Sequence, residues 1–390
     1  MAVLAGALPL HAGAQEARSP AAITDFRVND PALMDARAKL LARAEGELAR
    51  GEVAAATDTF ERAAMMLHAP DTEMGLVRAY MQAGQYRRAL AFCAHVAGAH
   101  LESGPAGGLY AWLLRAGGQN DFADRVLRET LGRLPQDPVA LEVRRAFESP
   151  APVATGSLLR TPQRMAPQPL LTDDQPPVAE AARVVSGGVL IGNGTMALVP
   201  SDAALVPDAA KAIWVRDGLG RTTRAHADAA AQPLAPYAVT VLRLDPPLPA
   251  EGLPLLAPRD PFAGSVGFAF EYAAQQDANP AWPWLSQGFF GTVQNGDAPR
   301  KLGIGVAGTT HGGPVLDAAG RLAGMVLPGR DEPVMLSASR WADALPGSGQ
   351  VAGPAAAPQA GAIARPGGAI PSDEAYESGL RSALQLIVLR

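Results

Sequence analysis

Polar and apolar positions follow two different rhythms along this chain. From about Pro31 to Phe147, Ala, Leu, Arg and Glu recur at the spacing of a helix with one buried face. From 186 to 345 the apolar runs shorten and are punctuated by Gly and Pro, which predicts short strands in a barrel or sandwich. Residues 148–185 and 346–371 are Pro-, Ala- and Gly-rich without a sustained period, as expected of connectors. Pattern returns at 372–390, where Ser372 is expected to cap a short helix and LQLIV at 384–388 to form a buried strand.

The helical third repeats itself. Gly51, Gly84 and Gly118 each close one helical stretch and open another, 33 and 34 residues apart. Five residues after each stands an alanine, Ala56, Ala89 and Ala123. Phe60, Cys93 and Leu127 follow at nine, and Ala63, Val96 and Thr130 at twelve. Small residues let two helices approach, bulky ones fill the gap between them, and glycine permits the turn. Pro135 closes the third unit, and Pro70 stands near the matching place in the first. This pattern resembles the tetratricopeptide repeat, a likeness strengthened by Tyr80 four residues before Gly84. The resemblance implies three helical hairpins over 31–147 that present a groove to a protein or peptide. A bundle serving only as a spacer is the alternative. His95 and His100 are five apart and do not share a helix face, so they are expected on the surface or in packing rather than on a metal.

In the second texture, GGVLIGNGTMALVP (187–200) predicts a hairpin turning at Asn193-Gly194. AIWVRD, YAVTVLRL, SVGFAFEY, GFFGTV and KLGIGVAG predict further strands. The last contains GxGxxG at 303–308, but no helical pattern follows, which argues against a nucleotide cradle. The stretch GTTHGGPVLDAAGRLAGMV (308–326) is more specific. Its Gly312-Gly313-Pro314-Val315-Leu316-Asp317, then Gly320 and Gly324, resembles the nucleophile loop of chymotrypsin-like proteases, in particular the bacterial Deg/Htr type. Earlier landmarks fall in the family's order: Gly187 to Ala204 for the strand reaching the catalytic histidine, and Ala238 to Leu244 for the aspartate strand. Gly288-Phe289-Phe290-Gly291 matches the turn before the nucleophile strand. The resemblance implies a trypsin-like double β-barrel over 186–345. Such domains begin with a helix and strand upstream of the first hairpin, where this chain has only its Pro-rich connector. Tyr376 to Leu389 resembles the missing piece, which implies a circular permutation with a C-terminal strand completing the barrel.

Serine-protease catalysis needs a hydroxyl nucleophile, an imidazole to take its proton and a carboxylate to orient that imidazole. By the resemblance, the corresponding positions hold His311, Asp202 and Ala238. Thr309 stands where a glycine helps shape the oxyanion pocket, while Gly312 and Gly313 remain. The catalytic set is therefore expected to be lost. A rearranged hydrolase using a His311–Asp202 pair is the alternative, and a metal there would lack ligands.

Composition narrows the class. The net charge is −5 and no Lys/Arg run occurs, which disfavours nucleic acid as partner. Cys93 is the only cysteine, so no internal disulfide can form. No run beyond the N-terminus is long and apolar enough to span a bilayer. MAVLAGALPLHAGA (1–14) ends in Ala12-Gly13-Ala14 and looks like a signal peptide without its basic region, implying export to the periplasm. The expectation is a multidomain α + β chain acting as a non-catalytic periplasmic adaptor or assembly factor for protein or peptide partners, with no cofactor. An active envelope protease homologue and a structural subunit of an envelope complex are the alternatives.

Overall fold

The computed structural model describes residues 30–148, 182–201, 212–227, 232–273, 281–293, 299–306, 310–345, 347 and 368–389. The signal-like segment 1–14 and most of both connectors lie outside these residues.

The described N-terminal part comprises seven helices: α1 (Pro31–Ala49), α2 (Val53–Met66), α3 (Pro70–Gln82), α4 (Tyr86–Ala99), α5 (Gly104–Ala116), α6 (Asn120–Arg133) and α7 (Pro138–Glu148). Gly51, Gly84 and Gly118 sit between α1 and α2, α3 and α4, and α5 and α6, all at positive φ. Each is followed by the same closing bond, from Glu52 N to Glu47 O, Gln85 N to Tyr80 O and Gln119 N to Leu114 O, each 2.9 Å. A residue with a Cβ would be strained at those glycines. The repeated positions all point inward: Ala56, Ala89, Ala123, Phe60, Cys93, Leu127, Ala63, Val96 and Thr130 are buried. Close approach extends between hairpins, since a Cβ on Gly75 would overlap the Phe60 ring. No described helix is long and apolar enough to cross a membrane.

Twelve strands follow: β1 (Ala182–Ile191), β2 (Met196–Pro200), β3 (Ala212–Asp217), β4 (Thr222–Ala227), β5 (Val239–Asp245), β6 (Val266–Glu271), β7 (Trp284–Phe289), β8 (Arg300–Lys301), β9 (Pro314–Asp317), β10 (Leu322–Leu327), β11 (Val334–Ser337) and β12 (Ala383–Leu389). Two helices, α8 (Ala338–Ala344) and α9 (Ser372–Ser382), precede β12. The first sheet is a closed barrel in the order β1-β12-β3-β4-β5-β2, and the second is six-stranded in the order β7-β6-β9-β10-β11-β8. Leu190, Val199, Val215, Leu242, Leu384 and Leu386 fill the barrel.

The C-terminal strand completes the barrel, as expected. It pairs antiparallel with β1 (Val184↔Ile387, Val189↔Ala383) and with β3 (Leu386↔Val215). Starting from β12, the barrel winds β12-β1-β2-β5-β4-β3; starting from β6, the second sheet runs β6-β7, then β8-β11-β10-β9. The two orders are equivalent. Bonds from Gly291 N to Lys301 O and from Lys301 N to Thr292 O draw β8 toward the end of β7. The place that β6 fills in the second sheet is filled in the barrel by a strand from the far end of the chain.

A matched turn marks the equivalence. Asp217 and Arg221 join β3 to β4, and Asp317 and Arg321 join β9 to β10. In the first, Asp217 Oδ1 accepts from Leu219 N and Arg221 N at 2.9 Å, and Oδ2 accepts from Arg221 Nε at 2.6 Å. In the second, Asp317 Oδ1 accepts from Ala319 N and Arg321 N, and Oδ2 from Arg321 Nε, all at 2.9 Å.

Several local expectations are corrected. β1 begins at Ala182, inside the stretch expected as connector, because β12 supplies its partner. The strand expected at 288–293 lies earlier, at Trp284–Phe289, where it pairs with β6, so Gly288-Phe289 ends a strand instead of forming a turn. Of the described residues of KLGIGVAG, 301–306, only Lys301 is in a strand, since Gly303 at positive φ turns the chain against the Phe289 carbonyl. Ser372 is the first helical residue of α9 and makes no side-chain cap bond; the cap is Pro371.

Helix α9 packs between the helical stack and both sheets. Tyr376 is buried, its ring 4.4 Å from that of Tyr86 and its hydroxyl donating to Pro283 O at 2.7 Å. Trp112 of α5 meets Trp284 of β7 edge-on at 4.8 Å. A Cβ on Gly379 would overlap the buried Phe270 ring. Gly379→Ala is therefore expected to lower unfolding stability by about 1–3 kcal/mol in urea titration, as overpacking does. Gly98→Ala, in the open last turn of α4, should leave stability unchanged or raise it by about 0.5–1 kcal/mol.

Candidate functional site

The loop before β9 lies where the two sheets meet. Three bonds hold it from different sides: Gly187 N of β1 donates to His311 O at 2.7 Å, Thr310 N donates to Tyr272 O at 3.0 Å, and Gly312 N donates to Val326 O at 3.0 Å. His311 adopts φ 52°, a left-handed conformation unusual for a residue with a side chain, and Gly312 follows at φ 107°. Glycine is required at 312, since a Cβ would overlap the Gly187 carbonyl and lie 2.9 Å from Pro200 Cδ. At Gly313 it would overlap the carbonyl of Phe270.

Pro200 leads into Ser201, whose N–H donates to Ala238 O at 2.8 Å; Thr240 Oγ1 donates to Ser201 Oγ at 3.2 Å. The structure thus brings the His311 loop, the end of β2 and the start of β5 into one neighbourhood. Ala238 caps a short 3-10 turn (Ala235–Tyr237) at φ 55° and immediately precedes β5. Asp202 and Thr309 lie outside the described residues. The repeat-defining glycines and alanines occupy the hairpin turns and interfaces already described, away from this loop.

Beneath the loop sits a residue that sequence reasoning passed over. Glu271, last in β6, is buried and its Oε1 accepts from Gly313 N at 3.1 Å. Its signal was present: an acidic residue interrupts the otherwise apolar run GFAFEY. Glu271 Oε2 and Thr310 Oγ1 are buried without hydrogen-bond partners, and a Cβ on Gly187 would lie within 3.3 Å of both. Burial pushes the Glu271 carboxyl well above its ordinary range, the Gly313 bond countering only part of this. Burial also lowers the imidazole of His311, favouring its neutral form.

An oxyanion pocket needs N–H groups aimed at a developing negative charge. The N–H groups of Thr310, Gly312 and Gly313 are instead committed to Tyr272 O, Val326 O and Glu271 Oε1. Neither the His311 imidazole nor the Glu271 carboxyl is a hydroxyl nucleophile; the hydroxyls nearby include those of Thr310 and Ser201.

No family model and no curated protein matches this chain. Among solved structures, the inactive form of a serine-to-alanine mutant of Rv3671c from M. tuberculosis H37Rv matches at a TM-score of 0.30 and 14% identity, over 46% of this chain and 94% of that one. At that level the likeness carries neither fold nor function to this chain.

The raised Glu271 carboxyl has a pH signature. The folded state retains a proton that the unfolded chain releases near pH 4.5. Stability from this group is complete below that pH and is lost as pH rises through the folded-state value. Glu271→Gln keeps an oxygen for Gly313 and does not titrate. Its stability relative to the parent should therefore increase between about pH 5 and pH 8, by at most about 1.4 kcal/mol per pH unit. Urea unfolding across that range tests this, and a margin that shrinks with pH would contradict the protonated assignment.

Proposed function

We propose that this chain is a non-catalytic adaptor or assembly factor of the cell envelope. In this reading, a tetratricopeptide-like helical domain is joined to a trypsin-like domain that has lost its triad. The loop geometry supports the reading: by the resemblance His311 corresponds to the nucleophile position, and the N–H groups of Thr310, Gly312 and Gly313 around it are bonded inward. Ala238 at the aspartate position offers a methyl group where a carboxylate would orient an imidazole. Glycines that serve only shape, Gly312 and Gly313, are kept at the same site. The signal-like N-terminal segment supports a periplasmic location.

The partner is a protein or peptide. The turn ends of two hairpins are already occupied, Gly84 by Arg381 and Leu219, and Gly118 by Leu285. A partner of the helical domain would therefore use the faces of the stack away from the sheets, while the second sheet, with β7 and β8 at the ends of its order, contributes the edges for an added strand.

The full chain, incubated with casein and a serine-reactive fluorophosphonate probe, should show neither cleavage nor labelling. His311→Ser should stay unlabelled as well, because a hydroxyl alone lacks both the imidazole and its orienting carboxylate. Labelling of the parent would establish a rearranged hydrolase and overturn the adaptor reading. Affinity capture from envelope extract should return a partner in variable stoichiometry; a fixed ratio would instead mark a structural subunit of a complex.

A further inference from the structure

At the end of the first hairpin pair, opposite in role to the loop between the sheets, three ligand-bearing side chains meet. His68 lies in the connection between α2 and α3, Glu73 in the first turn of α3, and His100 caps the C-terminus of α4. One ligand atom from each lies within 4.8 Å of the other two. His68 Nε2 is 2.6 Å from Glu73 Oε1, and His100 Nε2 is 2.9 Å from Glu73 Oε2.

The carboxylate is the unusual member. Glu73 is 1% exposed, against 60% for His68 and 15% for His100. A buried carboxylate is costly unless its oxygens are hydrogen-bonded or coordinated. Here Glu73 Oε1, Glu73 Oε2 and His100 Nε2 are all buried, and none has a hydrogen-bond partner. Both nitrogen–oxygen approaches are of ion-pair length. Two imidazoles gathered on a buried carboxylate are a donor set that one cation satisfies in a single step.

We infer that His68, Glu73 and His100 form a binding site for a divalent first-row cation of the zinc class. Two imidazoles and one carboxylate suit zinc, whereas magnesium and calcium take oxygen ligands. Ligand atoms on one tetrahedral zinc stand about 3.3 Å apart, given bonds of about 2.0–2.1 Å. Binding therefore requires the His68–Glu73 pair to spread by about 0.7 Å and the His100–Glu73 pair by about 0.4 Å, while any separation near the 4.8 Å limit closes to about 3.3 Å; His68, on its exposed connection, is free to take up its share. Three protein ligands leave a fourth position for water. The other nitrogen of His100, Nδ1, is 3.4 Å from Glu102 Oε1, so a second carboxylate is positioned to orient the ligating ring. His95 stands outside the set, its ring 6.1 Å from that of His68 and stacked on Phe92. Such an ion would fasten the α2–α3 connection to the end of α4.

The test uses the full chain after chelator treatment. Zinc titrated in competition with a chromophoric chelator should bind at one ion per chain and raise the thermal midpoint. Cobalt in its place should give the visible absorption bands of a low-coordinate site. His100→Gln and Glu73→Gln should each weaken zinc binding by at least about tenfold, and Glu102→Gln by about tenfold. His95→Ala should bind as the parent does. Because Glu73 is buried and its substitution perturbs the core, His68→Asn at an exposed position provides the companion measurement, with the same loss expected. Absence of saturable one-to-one binding would overturn the site, as would binding that survives both His68→Asn and His100→Gln. Loss of binding in His95→Ala alone would overturn the assignment of ligands.

Discussion

The close approach of Gly379 to Phe270 is the contact on which the rest of this molecule depends. It seats α9 against β6, and α9 in turn delivers β12 into the gap between β1 and β3. Without β12 the barrel would expose unpaired edges on both strands, with Val184, Val189 and Val215 losing their partners. The same short helix carries Tyr376 to the Tyr86 ring, so one element closes the barrel and holds the helical stack against it. Tyr272 adds to this closure by donating its hydroxyl to Ala383 O at 3.0 Å, where α9 gives way to β12. Barrel closure and domain docking are thus a single packing event.

The junction loop is built by the same economy of space. Gly187, Gly312 and Gly313 bring three backbones too close together for side chains, and the resulting bonds join β1, β6 and β10 around His311. Glycines and inward bonds give the described part of this loop the character of a structural joint. Burial beneath Gly313 holds the Glu271 carboxyl toward its protonated form, so it adds little charge to the joint.

In the helical part, repetition supplies rigidity. Three turns close with the same bond, and the positions five, nine and twelve residues beyond each glycine fill one continuous interface. Two of those turns meet the β part at Leu219 and Leu285 and helix α9 at Arg381, so the repeat glycines also serve as docking points. The histidine–carboxylate cluster lies at the end of the first hairpin pair, and Thr59, Thr72 and Arg37 form further buried polar contacts in the same pair.

By itself, the sequence determined what depends on neighbours a few residues away. The spacing of Gly51, Gly84 and Gly118 specified the hairpins, the short apolar run of AIWVRD specified β3, and Gly312-Gly313-Pro314 specified a tight loop entering a strand. It also suggested that the C-terminal strand joins the barrel, through likeness to a missing element. Tertiary structure decided what depends on distant partners. It set β1 back to Ala182, moved β7 to Trp284, and revealed that the Asp217–Arg221 and Asp317–Arg321 turns occupy equivalent places in two sheets. It buried Glu271 under the loop and gathered His68, Glu73 and His100 around one point. The division has a physical cause. Helical period and turn chemistry arise from local sterics and hydrogen bonding. Strand partners and the surroundings of a buried carboxylate arise from which surfaces meet once the chain has closed on itself, and no local pattern encodes that meeting.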